Sequence, residues 1–115
     1  MNNDAIDRLM AEKVMGWKSI PEINGWDTTG LNRPCDVRFD WHPTRDIRQA
    51  MMCEDKLTHP QQYDYVSILG DIIGGKPKAY MAAEAIYFIF KLIHATPEQR
   101  CLACLKTVGV EVDNA

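Results

Sequence analysis

No run of apolar residues here is long enough to cross a membrane: Ile86 to Phe90 is five residues, against the roughly 20 that a spanning helix needs. The opening Met1-Asn2-Asn3-Asp4 also lacks the basic start and apolar core of a secretory signal. A soluble protein that stays where it is made is therefore expected. Charge of one sign is not in excess. Thirteen Lys and Arg face 16 Asp and Glu, and the resulting net charge of -3 provides no field to gather a polyanion, so nucleic acid is not the default partner. Cysteine is sparse, with Cys35, Cys53, Cys101 and Cys104 only. In a chain without a secretion signal these are expected as reduced thiols in the cytoplasm.

Catalytic motifs are missing as well. There is no GxSxG, and the histidines, carboxylates and hydroxyls that a nucleophilic triad requires are scattered along the chain. Gly70 and Gly74-Gly75 neither follow a strand nor lead into a lysine-bearing helix, so they read as turns, not as a phosphate cradle. Glu54-Asp55 are adjacent on a helix and point to different sides, which does not suit paired acid and base work. No catalytic residue and no cofactor are expected. Repeats, low-complexity tracts and interior linkers are also absent.

What is present is a single 115-residue domain, with 46% hydrophobic and 25% charged residues, able to build its own core. Ile6, Leu9, Met10, Val14 and Trp17 recur at helical spacing from Asp4 to Gly16, with Asp4 and Asp7 suiting the positive end of the helix and glycine closing it. Residues 18–34 are dense in turn formers and read as a structured loop. Val37, Phe39 and Trp41 alternate with polar residues as in a short strand with one buried face. Thr44 is placed to cap a second helix, with Ile47, Ala50, Met51 and Leu57 inward, that ends near Thr58. His59-Pro60 breaks it, and the stripe Tyr65, Ile68, Leu69, Ile72 and Ile73 predicts a third. Periodicity leaves 76–94 open between helix and strand; the alanine-rich front and the β-branched, aromatic back suggest a short helix running into a strand beside 37–41. Thr96-Pro97-Glu98-Gln99 is a capping box with proline at the first helical position, opening a helix that buries Cys101, Leu102, Cys104, Leu105 and Val108. The fold class is α+β, mainly helical with about four helices and a small antiparallel sheet.

Three stretches carry a resemblance: Asp7-Arg8-Leu9-Met10-Ala11-Glu12-Lys13-Val14-Met15-Gly16-Trp17; Pro43-Thr44-Arg45-Asp46-Ile47 with Glu54-Asp55-Lys56-Leu57; and Ala95-Thr96-Pro97-Glu98-Gln99-Arg100 with Leu105-Lys106-Thr107-Val108-Gly109. In that order they resemble small bacteriophage and prophage proteins of the phage ABA sandwich domain family. The resemblance implies a compact α/β domain of phage or prophage origin, hence a host bacterial cytoplasm. It implies no reaction and carries no site residue.

Two groups of residues bear on chemistry. Cys101 and Cys104, in CxxC spacing, are metal candidates, with two of Cys35, Cys53, His42, His59 and His94 needed to complete a zinc site. Their place in an apolar helical stripe suits structural packing better, and no second CxxC or HxxxH supports zinc. From Trp26 to Arg48, aromatic residues interleave with arginines, a composition that could stack a base and grip a phosphate. The candidate ligand residues are Trp26, Arg33, Arg38, Trp41 and Arg45, with Trp26 and Arg33 foremost because Phe39 and Trp41 suit the core. The expected role is binding: a phage accessory protein that sequesters a host protein or a small nucleotide signal, for which a symmetric oligomer would be suited. Exposed apolar residues such as Met52 or Tyr63 would accord with an oligomer. The alternatives are a zinc-stabilised protein or metal-dependent hydrolase using Cys101 and Cys104, and a nucleic-acid-binding regulator.

Overall fold

A computed structural model describes residues 1–31, 36–74 and 82–112. Among them are five α-helices and one small sheet. The α+β, mainly helical class therefore holds, with one helix more than the sequence indicates. Helix α1, Asn3–Leu9, is capped by the Asn2 side chain, which accepts from the Ala5 amide at 2.8 Å. It widens into a π-helical turn, Met10–Val14, that ends at Gly16, where a φ of +72° favours glycine.

Of the segment read as a loop, 18–34, the described part, 18–31, contains more order than its turn formers suggest. Strands β1 (Lys18–Ile20) and β2 (Gly25–Asp27) are joined by a 3-10 turn, and β3 (Val37–Arg38) completes an antiparallel sheet in the order β1-β2-β3. Gly25 is buried because β3 lies against it; a Cβ there would meet Val37 Cγ1 at 2.9 Å and the Phe39 ring at 3.2 Å. The strand is shorter than the alternation predicts, and its inward face is broken: Trp41 is buried while Phe39 is 63% exposed. Two residues of pairing cannot carry the alternation on to residue 41, so Phe39 falls outside the sheet.

Helix α2, Ile47–Glu54, is capped by Asp46 and not by Thr44; the Asp46 carboxylate accepts from the Arg48 and Gln49 amides. Thr44 is buried beside Asp7. His59-Pro60 starts helix α3, His59–Ile73, because Thr58 and Gln61 form a capping box and proline needs no partner for its missing N–H in a first turn. The expected strand at the end of 76–94 is instead helix α4, Ala82–Ile93. Residues 75–81, in the expected helical front, lie outside the described residues. Helix α5, Pro97–Thr107, opens on the Thr96–Gln99 capping box as the sequence predicts.

α5 lies at the centre. Cys101, Ala103, Cys104 and Leu105 are fully buried, and the first three are small enough to bring α1, α2 and α3 close. Each large side chain buried there, such as Leu105, contributes about 1.5–3 kcal/mol. One polar knot joins four helices. Arg100 on α5 makes two contacts with the Glu54 carboxylate of α2, at 3.1 and 3.2 Å, while Tyr65 of α3 donates its hydroxyl to the same carboxylate. The guanidinium also donates to the carbonyls of Leu92, Ile93 and Ala95 at the end of α4, where the Leu92 carbonyl accepts from the Ala95 amide as well.

Candidate functional site

The folded chain brings together three of the five residues singled out for ligand contact. Trp26 and Arg38 are directly opposed across β2 and β3. The Arg38 guanidinium lies 5.5 Å from the centre of the Trp41 ring, within cation–π range. Trp41 is anchored: its indole N–H donates to the Asp7 carbonyl at 2.9 Å, and Trp17 packs edge-on at 4.5 Å between ring centres. Arg45 turns aside to donate to His42 Nδ1 at 3.0 Å. That bond leaves the ring proton of a neutral His42 on Nε2, 3.5 Å from the Asp40 carboxylate. Arg33 lies outside the described residues.

Two adjoining hollows open between α1 and the sheet, sharing Arg8 and Trp26. The smaller, about 160 Å³, is bounded by Asp4, Asp7, Arg8, Trp26, Trp41 and His42. The larger, about 350 Å³, adds Glu12, Ser19, Pro21, Asn24 and Gly25. Asp7 differs from the helix-end carboxylate that its position suggests. It is 5% exposed, one carboxylate oxygen accepts from the Thr44 amide at 2.9 Å, and the other, Oδ2, is buried without a hydrogen bond. The Thr44 hydroxyl oxygen is buried without a hydrogen bond as well, so the Asp7–Thr44 contact holds two unmet polar atoms, which is costly.

Asp4, Asp7, Arg8 and Glu12 were not among the sequence candidates. Asp4, Arg8 and Glu12 do recur at four-residue steps, the spacing of one helix face. No pattern in the sequence shows that the sheet folds over that face.

The CxxC cysteines are part of the core. Burial pushes Cys53 up from 9.0 to about 12, with the Glu54 and Asp7 charges adding to it. Cys101 and Cys104 are pushed up further, again chiefly by burial. A protonated thiol is neither a good nucleophile nor a ready metal ligand. No group of three or more His, Cys, Asp or Glu among the described residues is arranged to hold a metal ion. Cys35 lies outside those residues, and no described helix is long and apolar enough to cross a membrane.

Comparison with curated proteins and with solved structures gives no match. The family model of the phage ABA sandwich domain matches residues 8–105, running through the segments 18–34 and 76–92 that lie outside the family-like motifs. With most of its length matched by that model, the chain belongs to the phage ABA sandwich domain family.

Proposed function

We propose that this protein acts by binding, as a phage or prophage accessory protein that sequesters a host protein by capturing one of its basic side chains between α1 and the sheet. The observation that carries this reading is the acidic lining of the two hollows, where Asp4, Asp7 and Glu12 stand beside Trp26 and Trp41. A guanidinium or ammonium group pairs with exposed carboxylates such as Asp4, and indole faces attract cations. The surrounding charge favours the same class of ligand. Asp4, Asp7 and Glu12 outnumber Arg8 along the two hollows, and the chain carries a net charge of -3.

A small nucleotide is the weaker reading at this place. Its base could stack on Trp26, but the three carboxylates Asp4, Asp7 and Glu12 would repel its phosphates and outnumber the two arginines at this place, Arg8 and Arg38. A counter-defence role for the sequestration follows from the phage family at the level of class alone.

The test is a fluorescence and NMR titration of the full chain with an arginine-rich hexapeptide, and separately with GMP and ATP. Peptide binding that weakens with salt, and that drops about tenfold in Trp26→Ala, a loss of about 1.4 kcal/mol, is the expected result. Asp4→Asn, an exposed change that leaves the Asp7–Thr44 contact alone, weakens it by a smaller factor. Absence of peptide binding, or tighter binding of either nucleotide, overturns the reading.

A further inference from the structure

Helix α4 presents apolar side chains to solvent along most of its length. Ile86, Ile89, Phe90 and Ile93 are 67, 54, 57 and 66% exposed. At 100° per residue these four fall on one stripe, whereas Phe88 and Leu92, both half-buried, lie on another side. Glu84 and Lys91, the charged residues of α4, are on the side opposite the stripe. The outward stripe is thus free of charge, and the helix is fixed behind it by packing on α3 and by Arg100 on its last carbonyls. Soluble helices bury such a face.

We infer that the stripe is covered by a second copy of this chain, the two α4 helices packing antiparallel about a twofold axis. Area supports this occupant. Taking about 200 Å² for a fully exposed large apolar side chain, the four residues expose roughly 500 Å². Tyr87, 60% exposed at the margin, adds to it. Two such patches pressed together bury about 1,000–1,200 Å², the threshold of a specific interface. The stripe also complements itself. Antiparallel pairing sets Ile86 of one copy against Ile93 of the other, with Ile89 and Phe90 beside the axis, and leaves Glu84 and Lys91 in water. An isologous contact hides both patches in one closed particle.

Sedimentation equilibrium across the micromolar range tests this. The expected mass is twice the 13.1 kDa of the chain, falling to one chain in the double variant Ile89→Glu, Phe90→Glu with an unchanged circular dichroism spectrum. Should that variant unfold, cysteine cross-linking decides: under mild oxidation Ile89→Cys is expected to join two chains, and Glu84→Cys, on the far side, is not. A single-chain mass for the unaltered protein, aggregates of no fixed size, a dimer that survives in the folded double variant, or equal cross-linking at both positions overturns the inference.

Discussion

Arg100→Ala removes a side chain that ties α5 to α2 and to the end of α4, and its cost can be worked from the contacts. The substitution leaves the Glu54 carboxylate with Tyr65 as its remaining described donor and frees the carbonyls of Leu92, Ile93 and Ala95. Stripping one partner from a fully buried ion pair costs about 3–5 kcal/mol. Here the side chains keep 12 and 19% exposure, so water relieves part of the charge and the pair accounts for about 2–3 kcal/mol. The three carbonyls become partly solvated and add about 1 kcal/mol, for a total near 3–4 kcal/mol. In a domain of this size that lowers the Tm by about 10–15 °C. Urea unfolding followed by circular dichroism should show the midpoint falling with the slope unchanged. Arg100→Lys should recover less than half, because a single ammonium cannot reach the carboxylate and the helix-end carbonyls together. Glu54→Gln combined with Arg100→Ala should cost less than the sum of the single changes, since the uncompensated charge is gone. A loss below about 1 kcal/mol for Arg100→Ala, the range of an exposed surface pair, would refute the reasoning.

Gly25→Ala should destabilise the chain by about 1–3 kcal/mol through the Cβ contact with Val37, and should broaden amide signals of β2 and β3 in NMR spectra. Trp41→Phe loses the N–H bond to the Asp7 carbonyl and indole packing on Trp17, costing about 1–3 kcal/mol in thermal unfolding. Maleimide labelling mapped by mass spectrometry should leave Cys53, Cys101 and Cys104 unmodified in the folded chain and reach them only in denaturant. The same thiols impose a pH dependence with a definite sign. Cys53 titrates near 9.0 when exposed and near 12 when folded, so its contribution is complete below pH 9 and is lost as pH rises from there toward 12, while the unfolded chain gives up protons that the folded chain keeps. The urea midpoint should therefore fall as pH rises from about 9 toward 12, and less steeply in Cys53→Ala.

Much of the architecture is legible in the sequence because it is written in local rules. The Thr96–Gln99 box, the apolar spacing of the first helix and the glycines that close helices act within a few residues of themselves. The misses share a cause. The sequence residues 86–93 fit a strand by alternation and a helix by spacing, and in the fold they form α4, packed on α3. Thr44 resembles a cap, but a carboxylate 37 positions away claimed its amide, leaving Asp46 to cap α2. Met51 was expected inward and is 51% exposed, while Met52, whose exposure would have accorded with an oligomer, is half-buried against the core. Tyr63, at 70% exposure, does lie outward.

The sequence by itself determined the class of fold, the start of α5 at its capping box, and the family, since each depends on residues near one another or on order along the chain. Tertiary structure alone decided that Trp26, Arg38 and Trp41 converge, that Asp7 is buried with an oxygen left unpaired, and that α4 shows its apolar stripe to solvent. The physical reason is that burial and unmet hydrogen bonds are properties of what packs against a residue, and those neighbours come from distant parts of the chain.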